Sequence, residues 1–123
     1  MTSCVISLLA ICLACGCATR GFHPMPVTNY FRDNILFSEP KSAEEVKTAG
    51  MVLARKSNRD DLPALPFGFS NDCWQQMKRK IKPGDKLVFF RSPEEDWEQL
   101  RGMEGYALVR GRMLIDVLIT KIN

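Results

Sequence analysis

Five cysteines, one histidine and a short run of carboxylates are the side chains in this sequence with chemistry beyond packing and surface charge. Cys12, Cys15 and Cys17 form a C-x-x-C-x-C cluster, a spacing at which thiolates converge on zinc. The cluster sits in an apolar run with no second ligand pair downstream, so no metal is expected. Cys73 acts as a nucleophile only with a base beside it, and the single histidine, His23, lies in a proline-bearing segment far away in the sequence. Cys73, Met77 and Ile81 recur at every fourth residue of an expected helix, which makes Cys73 a buried small hydrophobe. Glu94, Glu95 and Asp96 are candidates for acid and base work. They are explained equally well as anions in the first turn of a helix, where the dipole favours them. An enzyme built on Cys73 or on Glu94, Glu95 and Asp96 is therefore the second reading, and no cofactor is expected.

The N-terminal cysteines belong to a different feature. Residues 4–17 read CVISLLAICLACGC and carry no charge, while all 17 Lys and Arg and all 14 Asp and Glu lie beyond residue 17. The apolar core, Val5 to Ala14, is too short for a spanning helix, which needs about 20 residues, and has the length of a signal-peptide h-region. Leu13, Ala14, Cys15 and Gly16 followed by Cys17 resemble the lipobox of bacterial prolipoproteins. The resemblance implies cleavage before Cys17, a thioether-linked diacylglycerol on that residue and a third acyl chain, such as palmitate, on the new amine. Cys15 is the alternative acceptor. A plain secretory signal or an uncleaved apolar tail are the other readings of the same residues. Each buried methylene is worth about 0.8 kcal/mol, so two or more chains form a firm membrane anchor. Ala18, rather than Asp, follows Cys17; in Gram-negative lipoproteins this implies sorting to the outer membrane, facing the periplasm. The expected organisation is a signal peptide over residues 1–16, a lipid-anchored tether over 17–29 and one domain over 30–123.

Within that domain Tyr30, Phe31, Ile35, Leu36 and Phe37 are spaced to dock one edge, as a helical turn or a short strand. Ser42 with Glu45 three residues on is a capping box, and Ala43, Val46, Ala49 and Leu53 continue at helical spacing. Gly50 interrupts them, leaving either one helix or a shorter helix followed by a strand at residues 51–55. Residues 56–69 are loop-forming, yet Leu62, Leu65, Phe67 and Phe69 punctuate them. Such a loop packs down on the domain or presents Phe67 and Phe69 to a partner. A second helix opens at Ser70 or Asn71 and runs to Lys80. The cations Lys78, Arg79, Lys80 and Lys82 at its end complement the helix carbonyls, with anionic lipid headgroups as an alternative partner.

After the turn Pro83-Gly84-Asp85, Lys86–Arg91 reads as a strand. Ser92 and Glu95 then form a second capping box around Pro93, and Gly102 stops the helix. Tyr106–Arg110 and Arg112–Ile122 form a hairpin about Gly111. In the last strand Met113, Ile115, Val117 and Ile119 fall on one face, and Leu114, Asp116, Leu118, Thr120 and Ile122 on the other. One continuous apolar face is expected to be covered by the helices. Gly84-Asp85-x-Leu87, Ser92-Pro93-x-Glu95-x-Trp97 and Leu100-x-Gly102-x-x-Gly105-Tyr106-Ala107-Leu108-Val109-Arg110 resemble a set of small bacterial proteins with no assigned activity. That likeness implies a shared fold and no particular chemistry.

The expected fold class is thus α+β: a small antiparallel sheet, built as a strand-helix-hairpin, with two or three helices. A net charge of +3, dispersed over the residues beyond 17, is too weak for nucleic-acid binding, which wants a concentrated basic face. The expected role is a lipid-anchored envelope module that binds a protein partner or peptidoglycan, with a purely structural lipoprotein as a further reading.

Overall fold

The computed structural model describes residues 22–57 and 59–123. The signal peptide, the lipobox, Cys15 and Cys17 lie outside the described residues. The chain divides into two compact units, one of residues 42–80 with Phe22, the other of residues 23–41 and 81–123. The architecture is α+β.

The helical unit contains, among the described residues, α2 (Ala43–Lys56), a 3-10 turn (Gly68–Ser70) and α3 (Asn71–Lys80). The capping box forms as its sequence requires: the Ser42 hydroxyl accepts from the Glu45 backbone N–H at 3.0 Å, and Glu45 Oε1 accepts from the Ser42 N–H at 2.8 Å. The helix runs unbroken through Gly50 to Lys56, so residues 51–55 are helix and not strand. Gly50 is a seat. The Phe67 N–H donates to the Gly50 carbonyl at 3.0 Å, and a Cβ on Gly50 would stand 2.6 Å from the Phe67 ring. Phe67 holds a positive φ of 65° to reach this position, a conformation that costs a residue with a side chain about 1–2 kcal/mol. Burial of its ring, against Gly50 and 5.9 Å from Trp74, offsets that cost. On α3, Cys73, Trp74 and Met77 are buried.

The second unit is a five-stranded, wholly antiparallel sheet in the order β1-β5-β4-β3-β2. Its strands are β1 (Met25–Pro26), β2 (Leu36–Phe37), β3 (Lys86–Arg91), β4 (Met103–Arg110) and β5 (Met113–Ile122). The helical turn α1 (Val27–Tyr30) follows β1, and α4 (Glu94–Glu98) joins β3 to β4. Met25 and Pro26 pair with Leu114 and Met113 of β5. Pro26 fits here because β1 is an edge strand, where a missing N–H breaks no ladder. The aromatic run after it yields both expected forms, a helical turn and a short strand. Phe31 packs at 4.7 Å from Phe90 and 5.3 Å from Phe37, ring centre to ring centre.

Three local expectations change. Ser92 does not cap a helix: its hydroxyl accepts from the Met103 N–H at 3.0 Å and its N–H donates to the Met103 carbonyl, so the sheet claims it. The helix starts at Glu94 with Pro93 as its N-cap and no side-chain cap. Gly102 does not stop that helix either. Leu100, with φ 60° and 74% exposed, reverses the chain. Gly102 instead lies under the Trp97 ring, where a Cβ would meet ring carbon at 2.3 Å. Finally, strict alternation fails in β5. Two irregularities, opposite Leu108/Val109 and Glu104/Gly105, leave Ile115 and Thr120 as extra residues. They move Leu114 to the face of Val117 and Ile119, and pair Ile122 with Met103. Both faces of the sheet are buried: Leu87, Tyr106, Leu108, Asp116 and Leu118 on one, Val88, Phe90, Ala107, Leu114 and Val117 on the other.

The turn before β3 is fastened by charge. Gly84 takes the positive φ of 90°, and Asp85 Oδ2 accepts from the Lys82 N–H at 2.8 Å. Arg110 grips the same carboxylate with two bonds of 2.8 and 2.9 Å. These donors, Arg110 first, hold the Asp85 carboxyl at about 2, below its ordinary 3.8. Because the folded value is depressed, the pair's stabilisation is fully present above pH 3.8 and disappears as pH falls through 2. Asp85→Asn is expected to cost about 1–2 kcal/mol near neutral pH, and its deficit against the unmodified chain should close between pH 4 and 2. Urea titrations of both proteins at pH 7, 4 and 2 measure this; a deficit that persists at pH 2 would assign the loss to packing instead of charge.

Candidate functional site

The residues singled out for catalysis fall in both units. Cys73 is buried on α3, and His23 is exposed at the start of the sheet unit. A thiol with 2% of its residue surface exposed offers no approach to a substrate. The three carboxylates also separate. Glu94 and Glu95 are exposed, whereas Asp96 turns inward and accepts from Arg101 Nε at 3.3 Å and from Asn34 Nδ2 at 3.5 Å. A carboxylate engaged this way locks the end of α4 to the segment before β2. Among the described residues no group of three or more His, Cys, Asp or Glu side chains is placed to hold a metal ion, and no helix is long and apolar enough to cross a membrane.

The residues singled out for contact fare unevenly. Phe67 is buried over Gly50 and is lost to any partner, whereas Phe69 stays 48% exposed with the Arg59 guanidinium 5.6 Å from its ring centre. Lys78 and Arg79 are exposed on the last turn of α3, and Lys80 is half-buried. The Lys78 ammonium lies 5.9 Å from the Trp74 ring centre. Lys82 belongs to the sheet unit, where its backbone serves the Asp85 turn.

Two features stand out that the residue types alone did not mark as sites. The first is strand β2. Among the described residues it is the last strand on its side of the sheet, and its two side chains are the exposed apolar ones Leu36 (58%) and Phe37 (45%). It is held firmly. Leu36 and Phe37 pair with Arg91 and Phe90, the Ser38 N–H donates to Phe89 at 2.8 Å, and the Phe89 N–H donates to the Ser38 hydroxyl at 2.9 Å. Phe31 braces Phe37 from beneath. Natural sheets blunt their edges with charge, proline or a bulge. β1 has its proline; β2 is only two residues long, and Glu39, Pro40 and Lys41 continue its edge, so the unguarded part is confined to Leu36 and Phe37.

The second feature is a cleft of about 310 Å³ in the helical unit. Met51, Ala54 and Arg55 line it from α2, at the three- and four-residue spacing that puts them on one face. The loop supplies Arg59, Asp60, Leu62, Pro63 and Ala64. Arg59 is committed to Asp61 through bonds of 3.1 and 2.7 Å, and that bond lowers the Asp61 pKa. The Arg55 guanidinium and the Asp60 carboxylate enter no ion pair or side-chain hydrogen bond among the described residues. The cleft thus combines a mixed lining with one cation and one anion, both solvent-exposed and without a protein partner among the described residues. Sequence patterning treats residues 51–55, as helix or strand, separately from the loop at 59–64, so their meeting leaves no local signal.

Neither a protein-family model, nor a curated protein, nor a solved structure matches this chain.

Proposed function

We propose that this protein is a lipid-anchored module of the bacterial cell envelope, held at the outer membrane through acyl chains on Cys17, whose folded part binds a protein partner. The observation that supports binding is the β2 edge: two exposed apolar side chains on a strand that ends the sheet and is rigidly braced behind. An extended polypeptide adds to such an edge by main-chain hydrogen bonds, and apolar pockets for alternate side chains give selectivity. Apolar side chains flanking a peptide ladder suit a polypeptide better than the hydroxyl-rich glycan of peptidoglycan. The enzyme reading has no comparable support, because Cys73 is buried and Asp96 is engaged away from Glu94 and Glu95.

A photo-crosslinker at Leu36 in native envelopes tests the binding role. A single stoichiometric adduct, lost in Phe37→Asp and kept in Leu100→Asp, supports it; labelling of many proteins, unchanged by Phe37→Asp, sinks it. The anchor is tested separately by metabolic labelling with radioactive palmitate, which Cys17→Ser abolishes and Cys15→Ser leaves intact. The reverse pattern moves the lipid to Cys15.

A further inference from the structure

The 310 Å³ cleft is at the small end of ligand sites, which span about 300–1,000 Å³. It accommodates one bulky group and little else. Its chemistry is mixed in a specific way: Met51, Leu62 and Pro63 provide an apolar wall, Arg55 a guanidinium and Asp60 a carboxylate, the last two solvent-exposed and without partners of their own among the described residues. A ligand that satisfies all three carries an apolar side chain, an anion and an N–H donor close together. A purely anionic ligand meets repulsion from Asp60; a purely apolar one leaves Arg55 unused. The C-terminal residue of a peptide has this set on adjacent atoms. Its α-carboxylate matches the planar fork of an arginine in bidentate fashion, its amide N–H is a donor for a carboxylate, and its side chain fills the apolar wall.

We propose that this cleft binds the C-terminal residue of a partner polypeptide, with the α-carboxylate on Arg55, the last amide N–H on Asp60 and a branched or aromatic side chain against Met51, Leu62 and Pro63. Arg59 is the positioning residue. Tied to Asp61 and set against the Phe69 ring, it fixes the loop that carries Asp60 and Leu62. The bulk of the apolar wall selects a leucine-sized side chain over a methyl. The inference shares with the β2 reading only the premise that the partner is a polypeptide, and it concerns the other unit.

Amide chemical shifts of the full-length nitrogen-15-labelled chain test it during titration with N-acetyl-alanyl-leucine as the free acid, the same peptide as its C-terminal amide, and N-acetyl-D-alanyl-D-alanine. The free acid should shift the amides of Met51, Ala54, Arg55, Leu62 and Ala64 in a saturable way and bind about tenfold more tightly than the amide. Arg55→Gln should bring acid and amide within twofold of each other, and Phe37→Asp should change neither. Three results overturn the proposal: no saturable shifts in the cleft, equal affinity for acid and amide in the unmodified chain, or tighter binding of the D-alanine peptide. The last would transfer the site to a cell-wall peptide. Shifts in the cleft caused by phosphatidylglycerol vesicles, with none caused by the peptides, would likewise exclude it in favour of a lipid headgroup. If Phe37→Asp abolishes the crosslink at Leu36 while cleft binding persists, or the reverse, the two readings stand or fall apart from each other.

Discussion

Phe90→Ala is expected to lower the unfolding free energy by about 3–5 kcal/mol, the range for truncating a fully buried phenylalanine. The ring is 0% exposed, so its removal forfeits transfer energy and leaves a cavity that the sheet cannot close. The site makes the effect specific. Phe90 supports Phe31 at 4.7 Å, Phe31 supports Phe37 at 5.3 Å, and Phe90 is also the backbone partner of Phe37. The chain of rings holds β2 in the plane of the sheet. Phe37→Ala deletes the outermost ring, which is nearly half exposed, and should cost only about 1 kcal/mol. Both changes are expected to weaken strand addition at β2, Phe90→Ala by loosening the edge and Phe37→Ala by removing the contact. Urea unfolding of the two variants beside the crosslink at Leu36 separates these routes. A cost below about 1 kcal/mol for Phe90→Ala would mean that β2 is braced by its backbone alone.

The parts of this fold legible in the sequence are those whose cause is local. The Ser42–Glu45 capping box, the α3 stripe of Cys73 and Met77, the strand at Lys86–Arg91 and the hairpin at Gly111 each follow from residues a few positions apart, and each forms as expected. What was not legible has a distant cause. Gly50 and Gly102 read locally as helix breakers, yet both are small because an aromatic ring, Phe67 or Trp97, must lie against the backbone. Ser92 has the side chain of a helix cap, but Met103, eleven residues later, takes its hydroxyl first. Leu100 adopts a conformation that glycine would adopt more cheaply, and nothing in its side chain announces it. The candidate surfaces divide in the same way. The apolar character of Leu36 and Phe37 was visible, whereas their position at the end of the sheet is a property of strand order. Residues 51–55 and 59–64 come together only because α2 continues through Gly50 and the loop returns to it.

The β5 irregularities are the largest departure from simple patterning, and one glycine shows why they are fixed. Gly105→Ala is expected to cost about 3 kcal/mol, the upper end for overpacking a close contact. Its φ is not positive, so the backbone conformation itself tolerates alanine. The obstacle is proximity: a Cβ there would stand 2.1 Å from the Leu118 carbonyl oxygen and 2.9 Å from the Ile119 Cα. Both are main-chain atoms of the paired strand, which cannot rotate aside as a side chain would. Relief requires β4 and β5 to part where Gly105 faces Ile119, next to the extra residue Thr120. That irregularity also directs Lys121 opposite Glu104, and from there its ammonium reaches 5.2 Å from the Trp97 ring centre while the Arg91 guanidinium lies at 5.1 Å. A shifted β5 therefore disturbs the Trp97 stack as well as the ladder. Gly111→Ala is the matched control. Its Cβ meets nothing within 4 Å, and only the positive φ of 62° opposes it, for a cost of about 1–2 kcal/mol. Urea unfolding of the pair, with hydrogen exchange at the amides of Gly105 and Ile119, tests the distinction: Gly105→Ala should lose more stability and open the ladder locally, whereas Gly111→Ala should leave exchange there unchanged. Equal costs with unchanged exchange would show that the two strands yield at this point, and that the register of β5 is set by the turn alone.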